Sequence, residues 1–200
     1  MTREITVFYA HSSPWTYLGW QRMRDILERT GASATFRPIF MAPVFQASGG
    51  LPLGQRPKQR QAYRLMELER WRKRLDVDIN LHPKFFPVDD RLAARVAIAH
   101  DLEGGDVAKL SQAIMRAVWE EERDIADGGT LEALAGEQGL DGRALIQAAE
   151  GPEVERRYDQ NTELAIEVGV FGVPTFQIGD ELFWGQDRLD FVEEALRQSG

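Results

Sequence analysis

Four stretches of this 200-residue chain carry side chains whose types and order suit binding or catalysis. The first is Ser13-Pro14-Trp15-Thr16, at the start of a helical pattern. Ser13 suits an N-cap, and Pro14 suits the first helical position, where its missing N–H costs nothing. The same placement sets a hydroxyl beside the free N–H groups and positive dipole end of a helix. These favour a bound anion by roughly 0.3–1 kcal/mol, and by up to about 2 when partly buried. The second stretch, Val173-Pro174-Thr175-Phe176, puts a proline just ahead of a strand pattern. The third, Gln186-Asp187, opens the last helical pattern, where Asp187 also reads as an ordinary cap. The fourth is a basic run holding Arg56, Lys58, Arg60, Arg64, Arg70, Arg72, Lys73 and Arg74 against only Glu67 and Glu69. Its first half is placed to meet carboxylates of a ligand, whereas Arg70 to Arg74 read as a solvated helix face.

What the chain lacks narrows the chemistry further. It has no cysteine, which excludes disulfides, thiolate metal sites, iron–sulfur clusters and a cysteine nucleophile. Its three histidines, His11, His82 and His100, fit no ligand spacing such as H-E-x-x-H, so no metal centre is expected. His11 adjoins the Ser13 turn and reads either as structural or as a substrate contact. Trp15, Phe40 and Phe45 are candidate walls for an aromatic ligand, while Tyr17, Trp71 and Trp119 read as core. With 24 basic against 32 acidic residues and a formal charge of −8, nucleic-acid binding is not expected. No apolar run approaches the roughly 18 residues of a membrane span. The mixed opening Met1-Thr2-Arg3-Glu4 does not resemble a secretory leader, so a cytoplasmic protein is expected.

The elements that must position these residues follow from hydrophobic periodicity. Glu4 to Ala10, with Ile5, Thr6, Val7, Phe8 and Tyr9, reads as a buried strand. A helix follows from Pro14, with Leu18, Trp20, Met23, Ile26 and Leu27 near a 3.6-residue period, and stops at Thr30-Gly31. Ala34-Thr35-Phe36-Arg37 reads as a second strand, completing a βαβ unit. Met41 to Pro57, rich in Pro and Gly, reads as a long functional or packed loop. From Lys58 to Val168 the chain reads as successive helices. Two strands, Val173–Ile178 and Glu181–Trp184, are joined at Gly179-Asp180 by a hairpin loop suited to type II′. A last helix carries Leu189, Val192 and Leu196 on one face. The fold class is therefore α/β, with a βαβ…ββα core split by an all-helical insertion. The expected division is 1–57 with 168–200 for the core and 58–167 for the insertion.

That order is the thioredoxin order, and the residues at its joints resemble one branch of it. S-P-W-T-Y-L at Ser13–Leu18, L-E-R-W at Leu68–Trp71, H-P-K-F-F-P at His82–Pro87, G-V-F-G-V-P-T-F at Gly169–Phe176 and F-W-G-Q-D-R-L at Phe183–Leu189 occur in sequence. Together they resemble the 2-hydroxychromene-2-carboxylate isomerases and the related kappa-class glutathione transferases, which have a DsbA-like thioredoxin fold. The resemblance spans essentially the full length. It implies that Ser13 stands where redox relatives carry a cysteine and supports the thiolate of bound glutathione. It also implies a cis Pro174 that frees the backbone of Val173 to pair with glutathione's cysteinyl backbone, with Gln186 and Asp187 at the γ-glutamyl end. The family often carries an Asn before the basic helix and a Lys within it. Here the loop reads Ser48-Gly49-Gly50-Leu51 and lacks that Asn; Lys58 is the nearby lysine, flanked by Arg56 and Arg60.

A hydrogen bond from Ser13 to a charged sulfur contributes about 1.5–3 kcal/mol. With the helix terminus this lowers a thiol pKa from near 8.5 by roughly 1.5–3.5. The expected function is a glutathione-dependent isomerase acting on 2-hydroxychromene-2-carboxylate or a similar aromatic, conjugated carboxylate. Two alternatives stand beside it: a kappa-type transferase that leaves glutathione on an electrophile, and a redox-inactive thioredoxin-like protein that only binds. The resemblance also implies a homodimer. His11, Trp15, Phe40 and Arg60 are the candidates for the substrate pocket.

Overall fold

The computed structural model describes residues 3–198, so Met1 and Thr2 of the opening segment lie outside the described residues. Strand β1 (Glu4–Tyr9) runs into helix α1 (Pro14–Thr30), and strand β2 (Ser33–Pro38) returns parallel to β1, with Val7 opposite Phe36. The punctuation of α1 is as its residues dictate. The Ser13 hydroxyl accepts the Thr16 N–H, Pro14 opens the first turn, and Gly31 takes the left-handed conformation at φ +65°. Strand β3 (Thr175–Ile178) pairs antiparallel with the other side of β1, and β4 (Glu181–Trp184) forms the edge. The sheet order is β2-β1-β3-β4. At the β3–β4 turn Gly179 has φ +57° while Asp180 does not share it, in keeping with type II′ rather than I′.

The segment 41–57 is not one loop. It holds helix α2 (Met41–Ser48) and a 3₁₀ turn at Leu53–Gln55. Pro43 lies in the first turn of α2, where no N–H is needed, and Gly49 ends it at φ +74°. Residues that look like loop punctuation are here the start and stop of a short helix. The helical block then runs α3 (Lys58–Leu75), α4 (Arg91–Leu102), α5 (Val107–Trp119), α6 (Gly128–Glu137), α7 (Gly142–Ala149) and α8 (Pro152–Glu167). Strand β3 begins two residues later than its apolar run, past the cis Val173–Pro174 bond. The last helix, α9 (Leu189–Gln198), follows a 3₁₀ turn at Gln186–Arg188.

Alternation along β1 assigns its two faces. Ile5, Val7 and Tyr9 join a core that continues through Trp20 and Met23 of α1 into Ile114 and Trp119 of α5 and on to α4, α6 and α7. Phe8 points the other way, to Ile39, to Val44 of α2 and to Ala165 of α8. One apolar cluster thus joins the sheet to the helical block, which fixes α3 relative to the sheet. Tyr17 and Trp119 are buried as their periodicity implies. No helix among the described residues is long and apolar enough to cross a membrane.

Candidate active site

The turn between β1 and α1 sets Ser13 by three bonds. Its N–H donates to Ala10 O at 3.1 Å, and its hydroxyl oxygen accepts the Thr16 N–H at 3.2 Å. The hydroxyl itself donates to the carbonyl of Val173, 160 residues away, at 3.4 Å. That last bond is long, so the proton is weakly held and available to a better acceptor. Val173 precedes the cis Pro174, as the joint motif implies. Its carbonyl is engaged by Ser13 rather than free, but its N–H has no intramolecular partner among the described residues. The Pro174 carbonyl is occupied by the Gly185 N–H at 2.9 Å.

Above this junction lies a cavity of about 490 Å³. Trp15 and Val173 line it at the Ser13 side, although Ser13 is one hydrogen bond behind the wall. A second wall is the segment after β4: Trp184, Gly185, Gln186, Asp187 and Arg188. Gln186 is buried and held through its carbonyl and side-chain oxygens by Arg22, at 3.3 and 3.2 Å. Asp187 is exposed at the rim and pairs with Arg188 at 2.9 Å. Gly19 of α1 permits this wall to close in, since a Cβ there would lie 2.7 Å from the Gln186 Cβ.

The opposite wall belongs to α3 and its lead-in: Arg56, Arg60, Tyr63, Arg64, Glu67 and Trp71. Steps of three and four residues put them on one helical face. Among the described residues, Arg56, Arg60 and Arg64 have no carboxylate within ion-pair distance, whereas the same helix neutralises its far half. There Arg70 pairs with Glu67, and Glu69 with Lys73 at 2.8 Å and Arg72 at 3.5 Å. Glu67 faces the cavity with its charge already met by Arg70. Burial, and secondarily the Arg56 charge, bring the Arg64 guanidinium down to about 10. Arg64 lies over the Phe86 ring at 5.1 Å, and its Nη2 is buried without a partner. Arg56 is likewise lowered, by burial first and then by Arg60. Three guanidinium groups without a carboxylate partner, two of them half-buried, give this wall a positive field that favours an anion, although Arg56 Nε already donates to Leu51 O at 2.8 Å.

Beyond Ser13 and Pro174, which lie just behind the wall, four candidates fall outside this cavity. One is Phe45, whose ring instead lies 6.0 Å from the Arg56 guanidinium carbon. Lys58 is exposed on α3 and off the wall, whereas Arg60, exposed at the rim, and the half-buried Arg64 line it instead. Phe40 lines a second cavity of about 390 Å³, where it packs on Tyr158 with ring centroids 6.5 Å apart. The cause is the buried Ile39, which anchors the chain in the core and turns the next side chain toward α8. His11 is fully buried, hydrogen-bonded through Nε2 to Ser111 Oγ at 3.1 Å, and its burial lowers it to about 3. It is a neutral structural histidine. Among the described residues no His, Asp or Glu group is arranged to hold a metal ion.

Tyr63, Glu67, Trp71 and Trp184 also line the cavity, although no motif singles them out as site residues. Trp71 packs on the core as its spacing implies, but it is half-buried and its other side faces the cavity. The recurrence of 56, 60, 64 and of 63, 67, 71 on one face was the available signal.

Comparison with known proteins places this geometry in context. The family of DSBA-like thioredoxin domains matches residues 4–197. A 2-hydroxychromene-2-carboxylate isomerase from Sphingobium xenophagum is 30% identical over 197 residues, covering 98% of this chain and 99% of its own. Human glutathione S-transferase kappa 1 is 24% identical over 208 residues, covering 98% and 92%. The solved structure of a 2-hydroxychromene-2-carboxylate isomerase superposes with a TM-score of 0.81 at 27% identity, covering 98% of this chain and 95% of that one.

Proposed function

Because the chain belongs to the DSBA-like thioredoxin family, in the group of 2-hydroxychromene-2-carboxylate isomerases and kappa glutathione transferases, we propose that it is a glutathione-dependent isomerase. Its substrate would be 2-hydroxychromene-2-carboxylate or a similar aromatic, conjugated carboxylate. The observation that carries this reading is the Ser13–Val173 contact. It ties a hydroxyl at a helix N-terminus to the carbonyl of a residue whose own N–H is unpaired, just behind the wall of a cavity lined by three arginines without carboxylate partners.

When bound, glutathione would supply a thiolate nucleophile, whose addition to the conjugated double bond would permit ring opening and rotation about the resulting single bond, and whose elimination would re-form the double bond and return the thiolate unchanged. In this reading Ser13 turns its proton from the Val173 carbonyl to the sulfur, and the start of α1 adds its dipole. Val173 N–H donates to the cysteinyl carbonyl of glutathione, beside Pro174. Gln186 and Asp187 receive the γ-glutamyl end, Asp187 drawing on its ammonium group. Arg56 and Arg60 take the glycyl carboxylate, in place of the Lys58 expected from the family pattern. Arg64, deeper in the wall, takes the carboxylate of the substrate, whose ring lies between Trp15 and Trp71. A cytoplasmic location, where glutathione is abundant, and a homodimeric state belong to the same proposal.

The match to a kappa transferase supports a second reading, in which glutathione stays on the product. Incubation of the protein with glutathione and chromene carboxylates or generic electrophiles separates the two. Turnover with glutathione returned intact is expected; stoichiometric consumption would replace the isomerase by the transferase. Lack of calorimetric binding at millimolar glutathione would refute both and leave a binding module.

A further inference from the structure

Helices in this chain that begin with aspartate mostly use it in the same way. Asp106, Asp127 and Asp141 each turn the carboxylate back on their own helix, accepting the N–H of Lys109, Thr130 and Ala144. Asp90, the N-cap of α4, does not: no amide of its own helix reaches its side chain. Its Oδ2 instead accepts the backbone N–H of Ser12 at 2.8 Å, 78 residues away in sequence. The neighbouring Asp89 takes the Arg91 N–H at 3.1 Å, so the α4 terminus is served without Asp90.

The acceptor is placed where it matters. Ser12 adjoins Ser13, and the amide that Asp90 holds is the one just before the hydroxyl that contacts Val173. Burial raises the Asp90 carboxyl from its usual value, and the bond to Ser12 is itself partly buried. Of the other ties of the turn, Ser13 N–H to Ala10 O and Thr16 N–H to Ser13 Oγ are local. His11 Nε2 to Ser111 Oγ and Ser13 Oγ to Val173 O are long-range, but they hold side chains rather than the backbone amide before Ser13. Asp90 supplies a bond from the helical block to the turn itself.

We propose that Asp90 is a positioning residue: its side-chain oxygen, withdrawn from capping α4, clamps the Ser12 amide and so aims the Ser13 hydroxyl at the bound thiolate. The inference rests on the glutathione reading, and its test separates the two. Full-length wild type, Asp90→Asn, Asp90→Ala and Asp106→Ala would be compared by thermal unfolding, hydrogen exchange at Ser12 and 240 nm titration of bound glutathione. Asparagine keeps an oxygen for the Ser12 N–H, so Asp90→Asn should hold the thiolate-to-thiol ratio within about threefold of wild type. Asp90→Ala should lower that ratio about tenfold at fixed pH, a rise of about one in the thiol pKa, and speed Ser12 exchange at least about tenfold. Asp106→Ala, which loses an ordinary cap, should lower the unfolding temperature without moving the titration. The inference is overturned if folded Asp90→Ala titrates like wild type, or if Asp90→Asn moves as far as alanine. Should wild type give no bound-thiolate signal, the glutathione reading falls. Unchanged Ser12 exchange in Asp90→Ala would then refute the clamp by itself.

Discussion

Replacing Arg64 by methionine should make the ligand-free protein more stable while impairing it as an anion binder. Burial, with the Arg56 charge beside it, lowers the Arg64 guanidinium to about 10, well below an arginine's usual value. A fall of that size corresponds to about 3 kcal/mol of cost to the folded, charged state. The sign follows from linkage: the folded pKa lies below the unfolded one, so the cost is present in full at neutral pH. It begins to fall only as pH rises through about 10, where the folded-state charge is lost, and vanishes once the unfolded state has deprotonated too. Removing the group also removes its stacking on Phe86, about 0.5–2 kcal/mol. The net gain expected for Arg64→Met is therefore about 1–2 kcal/mol, or roughly 2–8 °C in unfolding temperature for a chain of this size. The assay is thermal unfolding of both proteins with and without a carboxylate or sulfate ligand. Anion should raise the melting temperature of the wild type by mass action and that of the variant clearly less, since only Arg56 and Arg60 remain on the wall. A variant that melts below wild type, or that responds equally to anion, would refute the claim that Arg64 is an unpaired charge awaiting one.

Ser13→Ala should raise the pKa of bound glutathione by about 1–2, read at 240 nm, since a charge-assisted hydrogen bond of about 1.5–3 kcal/mol is lost. His11 should contribute no inflection to the activity profile near pH 6.5, because its burial holds it neutral down to about 3. Its lowered pKa instead predicts that stability is complete above pH 6.5 and declines as pH falls from there toward 3; unfolding titrations of wild type and His11→Gln would check this. Gly172→Ala would set a Cβ 2.5 Å from the Trp184 indole nitrogen. It should push Trp184 from the cavity wall and raise the KM for glutathione with little loss of fold, as steady-state kinetics and circular dichroism together would show. Gly19→Ala acts on the same wall through the Gln186 Cβ, and should weaken glutathione binding by calorimetry in the same manner.

Much of the architecture is legible in local sequence because local forces decide it. The apolar β-branched and aromatic run at β1, the Ser13-Pro14 start and Gly31 stop of α1, and the Gly179 turn each carry their own backbone preference. The segment 41–57 misleads for a related reason, since Pro and Gly also begin and end helices, and only packing of Val44 on Phe8 and Ala165 selects that outcome. The absence of cysteine, together with hydroxyls at the joint where redox relatives place thiols, is a property of the sequence alone. So is the exclusion of disulfide exchange. What chain order cannot state is which side chains share a space. The basic run looks uniform as a string, yet Arg70, Arg72 and Lys73 meet acids on their own helix while Arg56, Arg60 and Arg64 have none. Phe40 and Lys58 turn away from the cavity, and Trp71 turns toward it, because the common core sets the rotation of each element about its axis. Ser13 reaches Val173, and Asp90 reaches Ser12, across 160 and 78 residues of chain. Such bonds depend on distances fixed by burial of the sheet and helices together. The sequence therefore determined the kind of chemistry open to this protein, and the tertiary packing decided which residues stand close enough to perform it.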